Sequence, residues 1–203
     1  NAISGPGSLT QNGSGAVGVS GDNTYTGATL INSGTLLLQS SNALGSASSG
    51  TTVANGGQLY ITANVNTPEG LTLEGIGPDA NGALRKGGGG FSAVLGPVAL
   101  AGATTLGLDG GATLALSNVV SGNAALTVSG TGTLALNNNN TYTGGTVLSG
   151  GIVNVNANRA LGPGLVAISG NGRFVIGDGL NVTNAFTADV VSPGVATGLL
   201  MAN

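Results

Sequence analysis

The residues best suited to acid–base or metal chemistry in this 203-residue chain are its seven carboxylates, because the sequence contains no His and no Cys. An imidazole base, a thiolate nucleophile and a His/Cys metal site are therefore excluded. A glycosidase needs two carboxylates beside one bond, and a β-helical lyase needs several around a cation plus a basic side chain. The acidic residues are instead scattered: they are Asp22, Glu69, Glu74, Asp79, Asp109, Asp178 and Asp189. We predict no catalytic, cofactor-binding or metal-binding residue and no enzymatic activity.

The densest group of charges lies in the middle of the chain. Glu69, Glu74 and Asp79 follow one another at five-residue intervals, shortly before Arg85 and Lys86. Charged side chains are usually solvated and pair weakly at a surface. We interpret this group as a solvated loop, in preference to a catalytic or cation site.

Three glycine-rich segments resemble ligand-binding loops only superficially. Gly87 to Gly90 has no following helix or Lys-Thr pair, so we expect a flexible loop and not a phosphate cradle. Segments 109–111 and 177–179 share an Asp-Gly character with calcium-binding nonapeptides but lack their tandem register. No calcium is therefore expected.

Two tyrosines occupy equivalent places in the pentapeptide Asn-Thr-Tyr-Thr-Gly. Tyr25 and Tyr142 are too far apart for one sugar-stacking platform, so we expect both to pack in corners. Thr-x-Thr pairs flank them on only two coils, too few for an ice-binding face: Thr24, Thr26, Thr141 and Thr143. Asparagines are expected at turns, where their amides satisfy backbone groups: these are Asn137 to Asn140, Asn154, Asn156 and Asn158.

The elements that carry these residues are set by an internal repeat. The pentapeptide occurs at 23–27 and 140–144, a spacing of 117 residues, and Leu9-Thr10 matches Leu126-Thr127 at the same spacing. After a two-residue gap, the segment 57–61 matches 172–176. The chain is thus predicted to be a single domain, 1–203, with one repeat over 1–117 and an incomplete copy over 118–203.

Short runs within each copy alternate Leu or Val with Thr, Ala or Asn, which is typical of strands with one buried face. They are Thr35–Leu38, Leu59–Ile61, Leu71–Leu73, Thr113–Leu116, Thr133–Leu136 and Ile152–Val155. The low aromatic content, 3%, disfavours a sandwich, whose core normally needs larger side chains. We predict an all-β parallel β-helix (β-solenoid) of about nine coils, roughly 40 Å long at about 4.8 Å per strand.

The repeated motifs resemble a known family. The pattern LT-x-x-G-x-G-x-[VL]-x-[VL], the pentapeptide, ALG and a GG-x-L strand are similar to the autotransporter-associated β-strand repeat of bacterial passenger domains, over 8–61 and 125–176. The segments 82–85 and 100–122 resemble the spacer coils between such repeats. The resemblance implies a right-handed β-helix exported to the bacterial cell surface, as a stalk or adhesin passenger, with the repeat assisting folding during secretion. It implies no functional residue.

The charge and hydrophobicity of the sequence limit the classes of partner that the protein can bind. Four cations and a net charge of −3 offer no basic stripe, so nucleic acid is excluded as the main partner. The uncharged stretch 87–108 is interrupted by a glycine run, Pro97 and two Thr and is not apolar enough to span a bilayer, so no membrane insertion is expected. The main hypothesis is an extracellular structural rod, and the alternative is an adhesin that binds glycans of a host or neighbouring cell.

The chain ends carry a further expectation. Asn1 aligns with Asn118, and the last five residues, 199–203, contain no charge. An uncapped solenoid end is a template for another coil. We therefore expect covalent continuation of the same repeats or end-to-end self-association into a filament.

Overall fold

The computed structural model describes residues 2–188 and 200–201. The strands up to the middle of the chain are β1 (Leu9–Gln11), β2 (Ala16–Val19), β3 (Thr29–Ile31), β4 (Gly34–Leu38), β5 (Thr51–Val53), β6 (Gly57–Ile61), β7 (Asn66–Thr67), β8 (Leu71–Gly75), β9 (Leu84–Lys86), β10 (Gly90–Val94) and β11 (Val98–Leu108). The remaining strands are β12 (Ala112–Leu116), β13 (Val120–Gly122), β14 (Leu126–Gly130), β15 (Thr133–Leu136), β16 (Thr146–Leu148), β17 (Ile152–Val155), β18 (Val166–Ile168), β19 (Arg173–Ile176), β20 (Phe186–Ala188) and β21 (Leu200–Met201). The six runs predicted as strands all lie within this set.

All paired strands are parallel and stack into three columns that run along one axis. The first column contains β1, β3, β5, β8, the first half of β11, and β13. The second contains β2, β4, β6, β9, the second half of β11, β14, β16, β18 and β20. The third contains β7, β10, β12, β15, β17, β19 and β21. The chain is therefore a parallel β-solenoid of about eight turns, close to the nine predicted. The right-handedness of the coil stays a prediction.

The core is one continuous apolar column inside the coil. Period-two alternation within the predicted runs and the matched segment 172–176 places twelve side chains inward. All twelve belong to the core: Leu36, Leu38, Leu59, Ile61, Leu114, Leu116, Leu134, Leu136, Val153, Val155, Phe174 and Ile176. Between them, Ala115 and Ala135 join Ala93 in a separate small cluster on the outer face. Alternation with period two thus predicted the register correctly.

The second repeat is turned by one column relative to the first. β1 lies in the first column, whereas its sequence counterpart β14, 117 residues later, lies in the second. In the same way β4 lies in the second column and its counterpart β17 in the third. The repeat therefore spans five turns and one further face, where the spacing alone suggested about five coils.

The described part of the chain contains no helix, and none there could cross a bilayer. Three features of the sequence analysis lie outside the described residues: Asn1, Asp189 and residues 199, 202 and 203 of the C-terminal end.

Candidate functional site: the polar corners of the solenoid

The first pentapeptide forms a closed corner between two turns of the coil. The Asn23 side chain accepts a hydrogen bond from the Ile3 amide at 2.8 Å and donates one to the Ala43 carbonyl at 2.6 Å. Asn23 thus joins the turn before it to the turn after it. The Tyr25 hydroxyl lies 2.6 Å from the Thr29 hydroxyl, and the ring is only 2% exposed.

The second pentapeptide builds the same corner. Asn140 accepts from the Val120 amide at 2.8 Å and donates to the Ala160 carbonyl at 2.6 Å. The Tyr142 hydroxyl lies 2.6 Å from the Thr146 hydroxyl. Each hydrogen-bond partner lies 117 residues after its counterpart in the first corner. The two repeats therefore share the hydrogen-bond arrangement of this corner as well as its sequence.

The corner side chains are structural. Burial raises the pKa of both tyrosines, Tyr25 and Tyr142, above the ordinary value, so they are neutral at physiological pH and poor acid–base groups. Neither ring is accessible for sugar stacking, which confirms the corner packing. The Thr residues on either side of each Tyr are exposed. Asn156 donates to the Asn137 side chain at 2.7 Å, an inter-coil contact of the kind expected. Asn154, also expected at a turn, instead lies within strand β17, where it alternates with the inward-facing Val153 and Val155.

Glu69 corrects one sequence interpretation, because it is not in a solvated loop. Its side chain is 1% exposed and accepts a hydrogen bond from the Thr51 hydroxyl at 3.0 Å. Burial raises the pKa of Glu69 to about 7. The sequence did contain an indication of this burial. Glu69 lies two residues before Leu71 and four before Leu73, whose side chains point inward, so strand alternation places Glu69 on the same face.

Lys86 is a second correction to the solvated-loop interpretation, because its side chain is fully buried. The ammonium donates to the Gly87 carbonyl at 2.5 Å and the Gly89 carbonyl at 2.7 Å. Gly88, Gly89 and Gly90 all have positive φ, which lets the loop bring its carbonyl oxygens toward the ammonium. Burial lowers the pKa of Lys86. The glycine run, expected to be a flexible loop, therefore caps a buried cation.

Arg85 joins three turns on the outer surface. Its guanidinium lies 3.0 Å from Asp79, is bidentate to Asp109 at 3.1 Å, and sits 4.6 Å from the centre of the Tyr60 ring. Although burial opposes it, hydrogen bonds from Asn81 and Gln58 and the Arg85 charge hold the pKa of Asp79 below its usual range. Asp79 and Asp109 both form ion pairs with Arg85. Asp79 and Arg85 of the charge group therefore belong to a surface ion-pair network that links neighbouring turns.

Within the described residues, no three His, Cys, Asp or Glu side chains lie close enough together to hold a metal ion. Asp109, in the first calcium-like segment, is engaged by Arg85, and Asp178, in the second, is exposed. The arrangement supports a stiff scaffold more than a reaction centre.

Comparison with known proteins matches the chain to repeats and to a relative of the autotransporter class. The family model of the passenger-associated-transport-repeat matches residues 9–38 and 126–155, two windows that are themselves separated by the repeat spacing. The chain is 30% identical over 194 residues to the adhesin BmaC autotransporter of Brucella suis biovar 1 (strain 1330). The match covers 93% of this chain but only 5% of that protein. No solved structure matches the chain.

The matched windows include strands β1 to β4 and β14 to β17 together with the two polar corners. The resemblance drawn from the sequence motifs is therefore confirmed. The chain is a β-solenoid segment that contains two passenger-associated-transport repeats and, over 93% of its length, is similar to an autotransporter adhesin.

Proposed function

We propose that this chain is a rod segment of a bacterial surface fibre or passenger stalk, whose function is length and stiffness. The observation that carries the proposal is the polar corner built twice with the same hydrogen bonds. Such corners lock each turn to the next, because a buried amide that lost its partners would cost about 1–3 kcal/mol. Among the described residues, no buried side-chain nitrogen or oxygen lacks a hydrogen-bond partner.

The rod is proposed to continue beyond these repeats, either covalently or by end-to-end association of copies into a filament. A parallel solenoid grows by adding one strand to each column, so neighbouring repeats need no new kind of contact. The matched relative is about twenty times longer than the segment that this chain spans, as its 5% coverage implies. That length supports covalent continuation.

Small-angle scattering of the chain and of a tandem duplicate of residues 1–117 followed by 1–203 tests the rod. Adding five turns and one face should lengthen the particle by about 25 Å at about 4.8 Å per turn, with an unchanged cross-section. An increase in cross-section instead of length would contradict the rod. Sedimentation of the single chain at rising concentration tests end-to-end association, and a monomer at every concentration would leave only covalent continuation.

A second candidate function is adhesion through glycans of a host or neighbouring cell. The matched relative carries the name adhesin, which favours this candidate over catalysis. We propose no enzymatic activity, since the described carboxylates are either engaged, buried singly or isolated. A glycan array probed with the intact chain tests adhesion, and absence of binding to any glycan would refute it for this segment.

A further inference from the structure

An open groove follows one edge of the solenoid between the second and third columns. It has a volume of about 430 Å³ and is formed by three successive turns, at residues 130–131, 149–152 and 170–173. That volume lies in the range of small-molecule sites. Its lining side chains other than glycine are Thr131, Ser149, Ile152, Asn171 and Arg173.

The equivalent corner of the first repeat, which lies between the first and second columns, carries different side chains. At the position of Ser149 the first repeat has Asn32, whose amide donates to the Asn12 side chain at 2.7 Å and so covers the turn. Ser149 is shorter, and its hydroxyl turns back to the Val128 carbonyl at 3.0 Å. The substitution of Asn by Ser therefore removes side-chain volume from this corner in the second repeat.

A cation has been introduced at the same corner. Arg173 takes the place of Gln58, which is buried and donates to the Gly82 carbonyl at 2.9 Å. Arg173 is exposed, and no described carboxylate lies within ion-pair distance of it. From residue 110 to residue 177 the sequence contains no Asp or Glu, so the three turns that form the groove supply no carboxylate, and Arg173 is the one charged side chain among its lining residues.

We propose that this groove binds the carboxylate-bearing sugars of an acidic oligosaccharide. The Arg173 guanidinium forms a bidentate pair with a sugar carboxylate, the Thr131 and Ser149 hydroxyls and the Asn171 amide bond sugar hydroxyls, and Ile152 contacts an apolar ring face. The groove is open along the edge of the rod, so it accepts an internal unit of a chain as readily as an end. The proposal rests on the second candidate function, adhesion through glycans, and names its site and ligand class.

Titration of the isotope-labelled 203-residue chain with tri-galacturonic acid, monitored by amide NMR, tests the site, with neutral galactotriose as the comparison sugar. Two variants install residues of the first repeat: Arg173→Gln removes the cation and Ser149→Asn refills the corner. The control is Arg159→Gln, an exposed arginine that lines a different pocket. Thermal melts establish that each variant is folded.

The amides of Gly150, Gly151 and Asn171 should shift with the acidic sugar and not with the neutral one. Arg173→Gln should weaken binding about tenfold or more, because a hydrogen-bonded ion pair is lost, and Ser149→Asn should weaken it comparably. Arg159→Gln should leave it unchanged. Binding that shifts other amides, or that Arg159→Gln weakens equally, would overturn the site while leaving adhesion intact. No binding to either sugar would also overturn the site, and only an empty glycan array would remove adhesion itself.

Discussion

Replacing Glu69 with Gln should stabilise the protein at neutral and alkaline pH. The carboxyl is 1% exposed, and burial raises its pKa from 4.5 to about 7. The folded protein therefore holds this proton more tightly than the unfolded chain between pH 4.5 and 7, and the free energy of unfolding must fall as pH rises through that window. The shift corresponds to at most about 3.5 kcal/mol, at about 1.4 kcal/mol per pKa unit. The amide of Gln keeps the size and the acceptor for Thr51 without the charge.

Urea unfolding followed by circular dichroism at pH 4.5, 6, 7 and 8 measures this effect. Wild type should lose up to about 3 kcal/mol across the series more than Glu69→Gln does, and the two should be close at pH 4.5. Glu74→Gln, the same change on the half-buried outer face of β8, is the matched control and should keep the wild-type pH dependence. A natural precedent supports the exchange: the second repeat has Asn184 at the equivalent position, donating to the Gly162 and Gly164 carbonyls at 2.8 Å. A Glu69→Gln variant that is less stable than wild type at pH 8 would refute the reasoning.

Three further substitutions test the corners and the core by chemical unfolding. Asn140→Ala should cost about 3 kcal/mol because it leaves two buried backbone groups unpaired, whereas Asn139→Ala, at an exposed position, should cost under about 1 kcal/mol; equal costs would contradict the role of the corner. Tyr142→Phe should cost about 1 kcal/mol by removing one buried hydrogen bond, and a neutral result would show that the hydroxyl contributes nothing. Leu134→Asp should prevent folding or cost several kcal/mol through an unpaired buried carboxylate, while Thr133→Asp on the outer face of the same strand should be tolerated; a Leu134→Asp protein as stable as Thr133→Asp would mean the register is wrong.

Much of the fold was accessible from the sequence because strand alternation and the repeat are local patterns. Leu36, Leu59 and Leu134 could be placed in the core from period-two alternation alone. The rotation of the second repeat by one column could not, because a spacing of 117 residues does not say how many residues each turn consumes. Register pairs show that turns differ in length: Thr104 pairs with Leu126, but Val98 pairs with Leu71.

The buried charges show a different limit. Glu69 and Lys86 each lie two residues from an inward-facing leucine, so alternation alone would place them inside. Charged residues are almost never fully buried without a partner, and for that reason both were expected at the surface. What makes burial possible is non-local: Thr51 comes from the preceding turn for Glu69, and glycine carbonyls surround Lys86. The groove at Arg173 was missed because no motif marks it, and only a comparison of equivalent corners in the folded repeats brings it out.

The central claim, parallel in-register stacking of the turns, is tested most directly by spin-label distances along the first column. Thr10, Thr52 and Ser121 lie at equivalent outward positions of that column, linked through the registers of β1, β3, β5, β8, β11 and β13. Because the chain has no Cys, each label can be attached to an introduced one. Ser121 is five strand spacings from Thr10 and three from Thr52, so the backbone separations should be about 24 Å and about 14 Å. The account predicts a difference of about 10 Å between the two measured distances. Equal distances, or a longer distance from Thr52 than from Thr10, would contradict the stacking and with it the solenoid.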